Sequence, residues 1–342
     1  LALQKERKIN KMNQLYPLEF RPIFKDKIWG GDKIKSVMGL DYGSLPNCGE
    51  AWIVSGVEGD SSEVTNGFLE GNELNELVEV YMGELVGEAN YERFGNEFPV
   101  LVKILDARDW LSVQVHPDDQ LAAERGLGRG KTEMWYVLDA EPGAELISGF
   151  LKEISQEEFQ ERIAKGTVKE VMNYEEVKRG DLFFMPAGRV HALGPGILLA
   201  EIQETSDTTY RIYDWDRTDD KGNPRELHIE ESIEAIDYSK SNQAKTLYQR
   251  KPKGTTSLVK CPHFTTNLVD VTEPIAKDYS ALDSFVILIC LDGAVRLESE
   301  VGVEVLTKGE TILIPAVLEW VRMFPEGSCS LMEVYLDEVS EE

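Results

Sequence analysis

A chain of 342 residues, 42% hydrophobic and 29% charged, has the composition of an ordinary globular protein and the length for two or three compact units. Its formal charge of −26 opposes nucleic-acid and anionic-membrane partners through long-range repulsion, and an anionic substrate would need a local basic pocket to override that field. Four scattered cysteines (Cys48, Cys261, Cys290 and Cys329) form no CxxC pair and read as free thiols of a reducing cytoplasm; no apolar run is long enough to span a bilayer.

Residues 1–11, LALQKERKINK, contain no apolar stretch of a signal peptide and read as a disordered leader or remnant ahead of Met12. Short apolar runs broken by Pro, Gly and Asp predict strands and turns over 12–66. Leu69, Leu74, Leu77, Val78, Val80, Tyr81, Leu85 and Val86 follow the helical period, so one or two amphipathic helices are expected over 68–96. Alternation and β-branched residues over 98–114 then predict strands. Two more are expected over 133–149 around a Pro-Gly turn. A charged helix should start at Ser155 and reach about Tyr174, a strand pair should occupy 180–204, and a helix 226–238. Polar, basic 239–256 is the best linker candidate. The expected organisation is a domain over 12–240, a linker over 241–256 and a second domain over 257–342.

The segments KRGDLFFMPAGRVH (178–191) and TKGETILIPAVLEW (307–320) align without gaps, and the turns PGAELI (142–147) and DGAVRL (292–297) repeat ahead of them. Two copies of one β unit are therefore expected, the second degenerate. It carries Trp320 in place of His191 and Val317 in place of Gly188.

Within VQVHPDD (113–119), strand alternation turns Gln114 and His116 to one face. Glu133 opens the next strand, and His191 ends a G-x5-P-x-G-x2-H span from Gly180, which resembles the second motif of the cupin barrels. Two of only four histidines fall in these segments. Two imidazoles, a carboxylate and an amide oxygen form a mixed N/O set suited to one zinc ion, with a position left for water or substrate. His228 and His263 stand in no such context.

The blocks IWGG (28–31), GEAWIVS (49–55), LSVQVHPDD (111–119), GKTEMWYVL (130–138), MPAGRVHALG (185–194) and ETSDTTYRIYDWDR (204–217) together resemble the type I, zinc-dependent mannose-6-phosphate isomerases, particularly their short bacterial form. The resemblance implies a mainly β fold of two cupin-type jelly-roll barrels, with the metal site in the first and none in the second. It implies one Zn2+ held by Gln114, His116, Glu133 and His191, and catalytic roles for Arg211, Lys131 and Asp207. Trp29, Glu50, Ser112, Lys131 and Arg211 are implied as substrate-binding residues. The implied activity interconverts mannose 6-phosphate and fructose 6-phosphate through an enediol. Longer members carry a histidine before the lysine of the metal-glutamate block, where this chain has Gly130.

The residue types fit such chemistry. A Lewis acid stabilises charge developing on two neighbouring oxygens, and a positioned base moves a proton between two carbons. Arg189, Arg211 and Arg217 are expected to form the basic pocket for the sugar phosphate. An Fe(II) oxygenase and a non-catalytic sugar-phosphate binder are the alternative readings; Gln114, as a fourth ligand, disfavours the first. Monomer and homodimer both remain open.

Overall fold

The computed structural model describes residues 14–218, 221–241 and 243–337; the expected leader lies outside them. The N-terminal half is built from strands β1 (Ile23–Gly31), β2 (Cys48–Val54), β3 (Val100–Ala107), β4 (Val113–Val115), β5 (Glu133–Ala140), β6 (Glu145–Phe150), β7 (Met172–Glu176), β8 (Leu182–Met185), β9 (His191–Leu193), β10 (Ile197–Glu204) and β11 (Tyr210–Tyr213). They form two facing sheets, one in the order β8-β5-β10-β3-β1-β2 and one in the order β7-β6-β9-β4-β11. Three helical segments, α1 (Leu74–Tyr81), α2 (Gly83–Val86) and α3 (Glu88–Phe94), fill the long β2–β3 connection, and α4 (Asp119–Glu124) follows β4.

Strands β3 and β10 are buried along their whole length, which explains their nearly unbroken apolar sequences VLVKILDA and ILLAEIQE. Their two faces meet different partners. Leu105, Trp135, Val137, Ile197 and Leu199 point inward with Leu146 and Leu193 of the facing sheet. Val102, Ile104, Met134, Ala200 and Ile202 point outward and pack on Leu258, Phe264, Phe285, Ile287 and Val334 of the C-terminal half. The alternation carries Lys103, Glu133, Glu201 and Gln203 to the inner face, so one end of the interior is polar while the rest stays apolar.

The C-terminal half repeats this plan with β12 (Gly254–Cys261), β13 (Phe264–Val271), β14 (Ile275–Asp278), β15 (Val286–Asp292), β16 (Ala294–Glu298), β17 (Val303–Thr307), β18 (Thr311–Ile314), β19 (Trp320–Pro325) and β20 (Cys329–Tyr335). Its sheet order β18-β15-β20-β13 matches β8-β5-β10-β3, and β14-β19-β16-β17 matches β4-β9-β6-β7. The internal repeat is thus a repeat of topology as well as sequence. Register identifies what replaced the ligand candidates. Gln114 pairs with His191 as Asp278 pairs with Trp320, and Glu133 pairs with Met185 as Val286 pairs with Ile314.

Several boundaries differ from expectation. The helix begun at Ser155 covers only Gln156–Lys165 (α5), because Gly166 takes the left-handed conformation (φ 67°) and ends it; the chain then turns into β7. The 180–204 segment holds three strands, β8, β9 and β10. The helix expected over 226–238 is the shorter Ile229–Ala235 (α6). The linker segment is not a free tether: Thr246 donates its N–H to the Leu182 carbonyl, Tyr248 its hydroxyl to the Gly180 carbonyl, and β12 begins inside it. The N-terminal boundary is crossed as well, since strand Leu18–Glu19 pairs with β18 in the C-terminal sheet.

The two halves share one apolar core, in which Phe98 and Phe285, both fully buried, have ring centroids 4.6 Å apart. Phe285→Ala should cost about 3–5 kcal/mol and leave a single unfolding transition in denaturant. Two separate transitions, or a loss below about 1 kcal/mol, would show that the halves fold independently.

Candidate metal centre and active site

Four strands meet at the polar end of the first unit. Across its smaller sheet His191, Gln114 and Arg211 sit side by side in register on β9, β4 and β11. Glu133 faces them from β5. The His191 Nε2 lies 3.2 Å from Glu133 Oε1, His116 Nε2 lies 3.7 Å from Glu133 Oε2, and the Gln114 amide nitrogen lies 3.3 Å from His191 Nε2. Ligands about 2.0–2.1 Å from a tetrahedral ion stand about 3.3 Å apart, so this spacing fits zinc.

The backbone sets which imidazole nitrogen faces the centre. His116 Nδ1 is 2.8 Å from the Thr208 carbonyl and His191 Nδ1 is 2.8 Å from the Arg189 carbonyl. A carbonyl only accepts, so each Nδ1 carries the proton and each Nε2 turns a lone pair inward. Trp135 holds the His191 ring edge-on, with ring centroids 5.2 Å apart. Burial, reinforced by nearby Lys131, keeps both imidazoles neutral: His116 titrates well below the usual range, and His191 is pulled down to about 4.

Glu133 is wholly buried, and neither carboxylate oxygen has a hydrogen-bond partner; His116 Nε2 is likewise unpartnered. Burial, with Glu201 nearby, pushes the Glu133 carboxyl upward against the pull of Lys131 and Lys103. Unpartnered acceptors converging at this depth are costly unless a cation joins them. As placed, the Gln114 amide points its oxygen to Ser112 and its nitrogen to His191; to serve as a ligand it must turn over. Asp119, Glu204 and His263 form a second close group, with His263 Nδ1 2.9 Å from Glu204. Its members already have partners: Glu204 accepts the Thr132 N–H, and Asp119 accepts that of Gly130. The His263–Glu204 contact links the two halves.

Beside the ligand set opens a cavity of about 290 Å³, lined by Trp29, Glu50, Ser112, Gln114, Lys131, Asp207 and Arg211 among others. All the expected catalytic and substrate-binding residues thus converge on one space. Lys131 Nζ stands 3.6 Å from Glu133. Asp207 lies in the loop before β11 rather than on a strand with Arg211. A larger recess of about 410 Å³ sits at the opposite end of the same sheet, around Lys33, Asp106, Trp110 and Gly196, but it holds no convergent ligand set.

The expected arginine cluster is only partly correct. Arg189 donates to the Phe184 carbonyl, and Arg217 pairs with Asp214 and donates to the Trp110 carbonyl; neither lines the cavity. Arg225 takes their place. Lys27, Lys103 and Glu201 were also not anticipated. Lys103 and Glu201 pair 3.2 Å apart, both nearly inaccessible. Burial disfavours the charge on each, yet mutual attraction outweighs it, raising the lysine and lowering the glutamate. A signal existed: each is a lone charge at an inward position of an apolar strand. His228 also acts here, since its Nδ1 accepts the Arg211 backbone N–H at 3.1 Å.

Residues 18–163 match the catalytic domain of type I phosphomannose isomerases, and residues 254–336 the cupin domain of mannose-6-phosphate isomerases. The chain is 38% identical over 304 residues to a mannose-6-phosphate isomerase of Streptococcus mutans, covering 89% of this chain and 93% of that one. It superposes on the crystal structure of the mannose 6-phosphate isomerase of Bacillus subtilis with a TM-score of 0.82, at 32% identity over 94% of this chain and 99% of that one. A mannose 6-phosphate isomerase solved with zinc and yttrium shares the fold, with a TM-score of 0.77 at 18% identity over 95% of this chain and 100% of that one. The mainly β architecture and the residues converging on one cavity agree with these matches, and the chain belongs to the type I mannose-6-phosphate isomerase family.

Proposed function

We propose that this chain interconverts mannose 6-phosphate and fructose 6-phosphate, with one zinc ion held by His116, His191, Glu133 and the Gln114 amide oxygen. The observation that carries the metal reading is the buried Glu133 carboxylate, without a hydrogen-bond partner and faced by two imidazole nitrogens whose orientation the backbone fixes. A zinc held there would supply Lewis-acid chemistry, stabilising negative charge that develops on the substrate's oxygens.

The other groups divide the remaining work. Arg211, aligned with Gln114 across the sheet, has a buried Nε without a partner and no carboxylate within ion-pair distance among the described residues. It is free to stabilise negative charge developing on the sugar oxygens. Lys131 and Asp207, which flank the same space, are the groups proposed to move the proton between C1 and C2. The Lys103–Glu201 pair fills the floor without adding net charge, and Glu50 takes the Trp52 indole N–H at 2.7 Å and Lys27 at 3.1 Å. Trp29, Glu50 and Ser112 form the walls that orient the sugar. Four free cysteines suit a reducing cytoplasm, and no helix among the described residues is long and apolar enough to cross a membrane.

A coupled assay on mannose 6-phosphate should show turnover that a strong chelator abolishes and stoichiometric zinc restores. Turnover unaffected by complete metal removal refutes the metal reading. His191→Ala should lower zinc content by at least about tenfold, as loss of one ligand requires. Arg211→Ala should retain zinc while kcat falls by about 10²–10³; loss of zinc in that variant would contradict the role given to Arg211.

A further inference from the structure

The cavity contains five cationic side chains, and three already have a carboxylate of their own. Lys27 stands 3.1 Å from Glu50, Lys103 3.2 Å from Glu201 and Lys131 3.6 Å from Glu133. The other two, Arg211 and Arg225, form one wall, and Asp214 is the single carboxylate within ion-pair distance of either among the described residues. Asp214 is itself shared. Nearly buried, it also binds Arg217, which donates onward to the Trp110 carbonyl. Among the cavity's cations only these two lack a carboxylate of their own, and Asp207, which also lines the cavity, is within ion-pair distance of neither among the described residues.

Arg225 is also held in place. Its Nε donates to Asp214 Oδ2 at 2.7 Å and its Nη2 to Oδ1, a two-point grip that fixes the guanidinium plane. The following residues lie along β11: Arg211 Nη1 donates to the Glu226 carbonyl at 2.8 Å, and the His228 N–H donates to the Arg211 carbonyl at 2.8 Å. Arg217 also has Asp109 at 3.7 Å, so three arginines, Arg211, Arg217 and Arg225, stand against two carboxylates, Asp109 and Asp214. The surplus positive charge, turned to the cavity by Arg211 and Arg225, is accounted for by an anion that enters there.

We infer that Arg225 binds the phosphate group of the sugar phosphate and that Asp214 is the residue that positions it, a reading that rests on the proposed substrate class. A phosphate monoester carries about −1.5 to −2 charges near neutral pH, so it needs more than one cationic contact. Arg225 provides one within a molecule whose overall charge of −26 repels the substrate. Discrimination between mannose 6-phosphate and free mannose then resides in this wall, apart from the metal chemistry.

The test uses the zinc-loaded full chain and the variants Arg225→Ala, Arg225→Lys and Asp214→Asn. Arg225→Ala should raise KM for mannose 6-phosphate by about 10- to 100-fold, the loss expected for a charge-assisted contact, while kcat stays within about threefold. Competitive inhibition by inorganic phosphate should weaken by a similar factor, and Arg225→Lys should fall in between. Asp214→Asn should raise KM in the same direction with kcat and zinc content retained; a lower Tm without a KM change would make Asp214 merely structural. Unchanged KM and phosphate inhibition in Arg225→Ala overturns the inference while leaving the isomerase reading intact. Should the wild-type chain show no isomerisation, that reading fails separately. Calorimetric binding of mannose 6-phosphate to wild type and Arg225→Ala then decides, and equal affinities overturn the role of Arg225.

Discussion

A carboxylate enclosed in a protein interior has to be neutralised, and the site is arranged around that requirement at Glu133. Strand β5 places the side chain inside the first unit, where neither oxygen finds a hydrogen-bond donor. The neighbouring imidazoles cannot help as cations, because the same burial keeps them uncharged. They can help as donors of lone pairs, and two backbone carbonyls orient them to do so. One constraint, charge without solvent, therefore explains why the candidates facing Glu133 are neutral imidazole nitrogens, at the start of β9 and just past β4, and why Lys131 approaches from the open side.

The sheet that carries Glu133 is covered on its outer face by the C-terminal sheet, so β3 and β10 are buried on both faces. Strands buried on both faces have little freedom to shift, and separations of 3.2 to 3.7 Å between the candidate ligand atoms leave little tolerance for shifting. The C-terminal copy keeps the strand order while its ligand positions hold Asp278, Val286 and Trp320. It resembles the first unit in architecture and packs against it.

How legible this was depended on how local each feature is. Gln114 and His116 could be paired because alternation operates within one strand, and the 178–191 and 307–320 copies because they repeat residue for residue. The Lys103–Glu201 pair joins two strands nearly a hundred residues apart; each charge is visible in its own apolar run, but their contact arises only once β3 and β10 align. Arg189 and Arg217 looked like pocket residues because they are near His191 and Arg211 in sequence, whereas side-chain direction sends one to a backbone carbonyl and the other to Asp214. Gly166 was readable as a helix stop, yet the charged run beyond it concealed the transition to β7.

Strand Leu18–Glu19 pairs with β18, so residues at nearly opposite ends of the chain complete one sheet. During synthesis that partner emerges from the ribosome only after almost three hundred further residues have been added. Until then the early strand has no ladder to join, and the edge of β18 stays open until Leu18–Glu19 pairs with it. Closure of the C-terminal sheet is thus a late, long-range event, placing this chain among slowly maturing topologies. The nascent first unit, its outer apolar face not yet covered, is the species most in need of protection by chaperones.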